Sequence, residues 1–87
     1  MIRVAILGDY NGSFESHPAT TNAVRLAAEG CGIDAKIEWV ATPEITDARL
    51  QEFDACWASP GSPYASFDGM LRGIRHARER GKPFIAT

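Results

Sequence analysis

The sequence predicts a three-layer α/β fold in which helices cover both faces of a parallel β-sheet. Two observations lead to this prediction: short apolar runs alternate with stretches of helical periodicity, and glycine or proline separates them. Strands that alternate with helices form parallel sheets, because each crossover helix returns the chain to the same end of the sheet. With 87 residues the chain forms at most one domain, which we assign to residues 1–87.

Four segments have the pattern of strands. Residues 3–7 are apolar after the opening Arg3, and Ala55–Ala58 is apolar throughout, which is typical of central strands that are buried on both faces. Ala35–Val40 alternates apolar and charged residues, which indicates an edge strand with one solvated face. A fourth strand begins at Pro83. With right-handed crossovers, this arrangement predicts the strand order 2-1-3-4, the first part of a flavodoxin-like sheet.

The first helix is predicted to begin at Pro18, because the missing N–H of proline has no partner at the first helical position in any case. Glycines at positions 30 and 32 end this helix. His17, just before the proline, is expected to lie in a loop. The buried side of the helix is expected to consist of the residues that recur near helical spacing: Ala23, Val24, Ala27 and Cys31. Cys31 is therefore expected to be at least half-buried and unreactive.

Two further helices are predicted after the second and third strands. The short second helix, near residues 46–52, has Thr46 as its cap, and the third begins after the cap Ser66 and ends at Gly81. The apolar side of the short helix is expected to be Ile45, Leu50 and Phe53. The buried stripe of the third helix is expected to be Met70, Leu71, Ile74 and Ala77. The arginines of the third helix are interpreted as a solvated face.

Composition argues against several classes of function. A net charge of −2 provides no basic surface for nucleic acid. No apolar run approaches the roughly 20 residues of a membrane span, and the N-terminus has no signal peptide, so a cytoplasmic location is expected. Two cysteines do not form a metal-site spacing, and no metal or cofactor is expected. The glycine-containing loop 8–13 lacks the spacing of the phosphate-binding motifs.

Several segments, taken in their order and spacing, carry a more specific resemblance. They are Arg3-Val-Ala-Ile-Leu-Gly-Asp-Tyr, Ile37-Glu38-Trp39, Phe53-Asp54 leading to Ser59-Pro60-Gly61-Ser62, and Gly73-Ile-Arg-His-Ala-Arg-Glu before Lys82-Pro83-Phe84. Together they resemble the first half of the class I glutamine amidotransferase domain of CTP synthase, an enzyme of pyrimidine nucleotide biosynthesis. They are still more similar to stand-alone proteins related to its C-terminal region, which carry the Pro-Gly-Ser-Pro-Tyr variant found at residues 60–64.

The resemblance implies glutamine as the substrate. In such domains a cysteine on a sharp strand-to-helix turn attacks the side-chain amide, and a histidine oriented by a glutamate transfers the protons. The loop after the third strand donates a backbone N–H to the oxyanion, and the positions that map there are Gly61 and Ser62. The usual pattern has two glycines, so Ser62 keeps the N–H but loses the conformational freedom of glycine.

No catalytic residue of this pattern is present in the sequence. The resemblance places the nucleophile directly after Thr87, where the chain ends, and the catalytic histidine and glutamate further on. Cys56, inside a predicted strand, is expected to behave as a small apolar residue, and His17 and His76 match no role of the family. The isolated chain is therefore expected to be inactive as a glutaminase.

Two interpretations of the chain stay open. Some relatives carry selenocysteine, encoded by UGA, as the nucleophile, so the chain could be the N-terminal part of a longer protein that was cut at a misread codon. Alternatively it is a small flavodoxin-like binding or regulatory module that never had a nucleophile. In the isolated chain the strand from Pro83 would form an open edge of the sheet, where another strand would pair in the complete domain, so we expect the isolated chain to be a dimer, an aggregate or only partly folded.

Overall fold

The computed structural model describes residues 2–11, 13, 15–59 and 64–86. The strands pair in parallel in the order β2-β1-β3-β4, so the predicted α/β fold and the order 2-1-3-4 are confirmed, consistent with a flavodoxin-like fold. The elements follow the chain as β1 (Ile2–Leu7), α1 (Ser16–Gly30), β2 (Ala35–Val40), a 3₁₀ turn (Thr42–Glu44), α2 (Asp47–Leu50), β3 (Ala55–Ala58), α3 (Phe67–Arg80) and β4 (Phe84–Ala86).

The central strand β1 pairs with β2 from Ile2 opposite Ala35 to Leu7 opposite Val40, and with β3 on its other side. Residues 4–7 of β1 are buried because strands flank both of its edges and helices cover both of its faces. β3 is fully buried only on the α3 face, since Trp57 on the other face is half-buried. The expectation that β3 is buried on both faces is therefore wrong for the α1 side.

The two faces of the sheet have cores of unequal size. The smaller core, under α1, contains Val4, Ile6 and Val24, with the half-buried Ile37, Trp39 and Trp57 around it. The larger core, under α2 and α3, contains nine buried side chains: Ala5, Leu7, Val40, Ile45, Leu50, Phe53, Cys56, Ala58 and Met70. The predicted apolar side of α2 is thereby confirmed. α1 gives the sheet less apolar cover than α2 and α3 provide, because Val24 is the apolar member of its three buried residues, beside His17 and Thr20.

Helix α1 ends at Gly30 as predicted, but it differs from its prediction at its start and along its buried side. It begins at Ser16, so His17 lies in the first helical turn and is only 2% exposed, whereas a loop position was expected. Proline is tolerated at position 18 because the first four N–H groups of a helix have no acceptor within the helix. Of the expected stripe only Val24 is buried, because α1 contacts the sheet through His17, Thr20 and Val24. The other three stripe residues are exposed: Ala23, Ala27 and Cys31.

The predicted caps of the later helices are confirmed. The Thr46 hydroxyl accepts a hydrogen bond from the Arg49 N–H at 3.1 Å, and the Ser66 hydroxyl accepts one from the Gly69 N–H at 3.0 Å. Gly81 ends α3 in the left-handed conformation, with φ of 66°. None of the helices in the described part of the chain is long and apolar enough to cross a membrane.

The buried side of α3 is rotated relative to the prediction. Met70 and Ala77 are buried as expected, whereas Leu71 and Ile74 are exposed. Glycines explain the rotation, because they let the helix backbone approach its neighbours closely. A Cβ at position 69 would lie 1.8 Å from the Thr42 carbonyl oxygen, and one at position 73 would lie 2.7 Å from Leu7 Cδ1.

Candidate functional site

The carboxyl ends of β1 and β3 form the candidate site. These neighbouring strands lead into helices on opposite faces of the sheet, and such a switch point is where open α/β sheets bind ligands. The predicted loop residues Gly61 and Ser62 lie outside the described residues, and so does Thr87. The structure describes the segments that flank this loop, which end at Ser59 before it and begin at Tyr64 after it.

The carboxylate of Asp9, which lies two residues after the end of β1, joins three segments of the chain. Its Oδ1 accepts a hydrogen bond from the Thr42 N–H at 2.9 Å, and its Oδ2 accepts one from the Ala65 N–H at 2.8 Å. The Thr42 hydroxyl lies 2.8 Å from Oδ2 and donates to the carboxylate, while it accepts the Ser66 N–H at 2.8 Å. We call Asp9, Thr42, Ala65 and Ser66 the Asp9 junction. It attaches the start of α3 to β1 and to the 3₁₀ turn.

The electrostatics of the junction favour an ionised carboxylate. Burial alone would raise the pKa of the Asp9 carboxyl group, but the hydrogen bonds from Ala65 and Thr42 outweigh it and hold the pKa below its ordinary value of 3.8. Backbone N–H donors stabilise the charged form, because they point at an oxygen that carries negative charge. Asp9 is therefore a fully engaged anion at neutral pH.

Ser59 lies directly between the ends of β1 and β3. Its N–H donates to the Leu7 carbonyl at 3.0 Å, and its own carbonyl accepts the Tyr64 hydroxyl at 2.9 Å, which ties the two ends of the loop together. Position 8 must be glycine here, because a Cβ would lie 2.0 Å from the Ser59 hydroxyl oxygen. That oxygen is buried and has no hydrogen-bond partner in the described part of the chain.

An aromatic group holds the segment that follows β1. His17 Nδ1 accepts the Asn11 N–H at 2.9 Å, so this nitrogen carries no proton. The His17 ring lies 4.9 Å from the Trp39 ring, and Tyr10 meets Trp39 edge-on at 5.0 Å. Trp39 in turn donates its indole N–H to the Thr21 hydroxyl at 2.8 Å. The histidine therefore has a structural role in orienting the loop, which sequence reasoning missed.

Neither cysteine reaches the candidate site. Cys31 follows the C-terminal end of α1, beside Ile2 and Ala35 at the opposite, amino ends of the strands. Cys56 lies within β3, as predicted, and burial raises the pKa of its thiol, although the charge of Lys82 partly opposes this. A thiol that stays protonated inside a strand is a poor nucleophile.

His76 forms a second polar contact that the sequence did not predict. Its side chain is buried between α3 and α2, where Nδ1 lies 2.8 Å from Asp47 Oδ1. This hydrogen bond is the main reason that the pKa of the Asp47 carboxyl group lies below its ordinary value. The other ring nitrogen, Nε2, is buried without a partner among the described residues. Across residues 2–11, 13, 15–59 and 64–86, no three His, Cys, Asp or Glu side chains come together to hold a metal ion.

Comparison with known proteins relates the chain to one enzyme. No protein-family model matches it. The CTP synthase of Encephalitozoon cuniculi is 26% identical over 84 residues, which cover 97% of this chain and 16% of that protein. The CTP synthases of Rubrobacter xylanophilus and Shouchella clausii are 26% and 27% identical over the same share of the chain. The chain thus spans about one sixth of these relatives, and its resemblance to the glutamine amidotransferase region of CTP synthase is confirmed.

Proposed function

Because 97% of the chain matches a fragment of CTP synthase, we propose that it is the first part of a glutamine amidotransferase-like unit. In the complete unit a nucleophile attacks the side-chain carbonyl carbon of glutamine. The C–N bond breaks with release of ammonia, and water then hydrolyses the acyl intermediate to glutamate. The part of the work that we assign to this chain is to hold the oxyanion of the tetrahedral intermediate with the backbone N–H groups of Gly61 and Ser62.

The frame around the loop supports this assignment. Oxyanion donors act because they are held in place before the reaction, so their loop needs fixed ends. The Asp9 junction holds the downstream end through the N–H groups of Ala65 and Ser66. The hydrogen bond from Tyr64 to the Ser59 carbonyl ties that end to β3.

The nucleophile of the complete unit is proposed to follow Thr87 in a longer protein. The positions of the two thiols support this, because Cys31 lies at the far end of the sheet and Cys56 is buried within it. The isolated chain should therefore release no ammonia from glutamine above a buffer control. Ammonia release that disappears in Cys31→Ala or Cys56→Ala would contradict the proposal. Two free thiols, one of them exposed, fit a reducing compartment such as the cytoplasm.

A chimaera tests the function directly. The matching segment of the Encephalitozoon cuniculi CTP synthase is replaced by this chain, and the release of ammonia from glutamine is measured. We expect activity, because that enzyme supplies the remaining part of the unit. Ser62→Pro removes the N–H and should lower the turnover by roughly 10²–10³-fold, whereas Ser62→Ala keeps the N–H and should retain most of the activity. Equal activity of the two variants, at equal melting temperatures, would exclude the oxyanion role.

A non-catalytic binding or regulatory module is the second candidate, and the positions of Cys31 and Cys56 fit it equally well. The DNA downstream of Thr87 separates the two. An in-frame continuation through UGA into a glycine-rich turn, a helix and a later His-x-Glu pair would support the amidotransferase. A non-coding or out-of-frame continuation would favour the binding module.

A further inference from the structure

A polar pocket opens on the helix layer, between α2 and α3. Its volume is about 150 Å³, and the side chains that line it are Asp47, Arg72, Arg75 and Glu79. All of them belong to the two helices, so both walls of the pocket come from residues 47–79. The pocket therefore contains no residue of the strand ends or of the Asp9 junction, and it is separate from the candidate site.

Two arginines form the basic part of this pocket. The Arg72 side chain is half-buried, and its Nε–H donates to the Ile45 carbonyl at 2.9 Å, which holds the guanidinium group in position. The terminal nitrogens of Arg72 are left for other contacts. Arg75 follows three residues later, and side chains at this spacing are neighbours on a helix surface. The two guanidinium groups can therefore bind one carboxylate, whose geometry matches their planar arrangement of donors.

Two carboxylates form the acidic part. Asp47 Oδ1 lies 2.8 Å from His76 Nδ1 and accepts its N–H, whereas Asp47 Oδ2 has no hydrogen-bond partner among the described residues. The pKa of Asp47 is lowered mainly by this hydrogen bond and also by the charges of Arg80 and Arg75, so the group is ionised at neutral pH. Glu79 is exposed one turn after Arg75. Both carboxylates can accept hydrogen bonds from an ammonium group.

The opposite charges of the pocket do not pair directly with each other. No ion pair in the described part of the chain includes Arg72, Arg75 or Glu79. An arginine four residues before a glutamate is also the less favourable order for an ion pair within a helix. Since the formal charges of the lining groups sum to zero, a phosphate or a polyamine would be repelled by half of them. A ligand that carries both signs of charge would be attracted by all of them.

We propose that this pocket binds the charged head group of a free α-amino acid. The α-carboxylate accepts hydrogen bonds from Arg72 and Arg75. The α-ammonium group, which is attached to the same carbon atom as the carboxylate, donates to Asp47 Oδ2 and to Glu79. The size also fits, because about 150 Å³ is the liquid volume of roughly five water molecules, which suits a small amino acid better than a nucleotide. This proposal depends on α2 and α3 alone and not on the proposed amidotransferase function.

An NMR titration of the isotope-labelled full chain with L-alanine tests the proposal. We expect saturable shifts of the amide signals of residue 47 and residues 72–79, with a dissociation constant of about 1–10 mM, because few hydrogen bonds hold a small ligand in an open pocket. Propionate lacks the ammonium group of L-alanine, and ethylamine lacks its carboxylate. At equal ionic strength, each of these two compounds should bind at least about tenfold more weakly than L-alanine.

Charge-removing variants assign the two ends of the ligand. Arg75→Gln should raise the dissociation constant of L-alanine at least about tenfold. Arg78→Gln is the matched control and should leave the constant unchanged, since it removes the same charge from α3 outside the pocket. Glu79→Gln should weaken the binding of L-alanine but strengthen that of propionate, because it removes a negative charge beside the bound carboxylate. All three positions are exposed, so the amide signals of the strands should not move in the variants.

Several results would overturn the proposal. One is the absence of saturable shifts with L-alanine up to about 100 mM. Another is equal binding of propionate or of ethylamine, which would make the pocket a site for single charges. Shifts confined to the Asp9 junction and the strand ends would place the binding of amino acids at the candidate site instead. Equal effects of Arg75→Gln and Arg78→Gln would show that only the net charge of α3 matters, which would refute the arrangement.

Discussion

Removal of the Asp9 carboxylate should destabilise the chain more than any change at an exposed acid. Asp9→Ala leaves the N–H groups of Thr42 and Ala65 without their acceptor and the Thr42 hydroxyl without its carboxylate. Each lost hydrogen bond is worth about 1 kcal/mol after water competes for the freed groups, so the loss should be about 2–3 kcal/mol. For a domain of this size, that lowers the melting temperature by roughly 10–20 °C.

Circular dichroism during thermal and urea unfolding measures this loss, with Glu29→Ala on the exposed surface of α1 as the control. Asp9→Asn should lose an intermediate amount of stability, because the amide oxygen of asparagine can accept only one of the two backbone N–H groups and its NH₂ group faces the other. Hydrogen exchange gives a local readout, since the Thr42 and Ala65 amides should lose protection together. The reasoning is refuted if Asp9→Ala melts within about 2 °C of Glu29→Ala and both amides stay protected.

Three further predictions concern pH and packing. Folding lowers the pKa of Asp9 from 3.8, so its carboxylate stabilises the fold above that pH, and this stabilisation is lost as the pH falls through the lower folded pKa. The melting temperature should therefore fall less steeply with pH below about pH 4 in Asp9→Asn than in the parent chain. Gly73→Ala should cost about 1–3 kcal/mol in urea unfolding, because its Cβ meets Leu7, whereas Gly30→Ala meets nothing within 4 Å and should be neutral or stabilising. Asp47→Ala should lower the melting temperature, because it leaves His76 Nδ1 without its partner. In a double-mutant cycle, Asp47→Ala should change the melting temperature much less when His76 has already been replaced by Phe.

The elements that sequence reasoning predicted correctly are those whose causes are local. Continuous or alternating apolar residues identified the strands, and Thr46, Ser66 and Gly81 marked helix ends through contacts within a few residues. The sheet order followed from right-handed crossovers and from the single alternating strand, β2, because alternation in a parallel sheet indicates an edge strand with one solvated face.

The errors arose where a distant contact decides what is buried. His17 was expected to lie in a loop and His76 was given no role, yet both are buried through partners that the folded chain brings to them. Leu71 and Ile74 were expected to be buried because they are apolar, but Gly69 and Gly73 turn the helix to obtain closer contact with Thr42 and Leu7. Asp9 gave no signal at all, since its partners lie 33 and 56 residues away along the chain.

The state of Asp9 also indicates which part of an amidotransferase-like reaction this chain could supply. A general base needs a pKa near the working pH and a free lone pair directed at the proton that it removes. Asp9 has the opposite properties, because its pKa is lowered and both of its oxygens accept hydrogen bonds from the protein. The hydrogen bonds of its carboxylate hold the end of β1, the 3₁₀ turn and the start of α3 together. Asp9 thus positions the backbone, and the proton-transferring groups of the proposed reaction have to come from another segment.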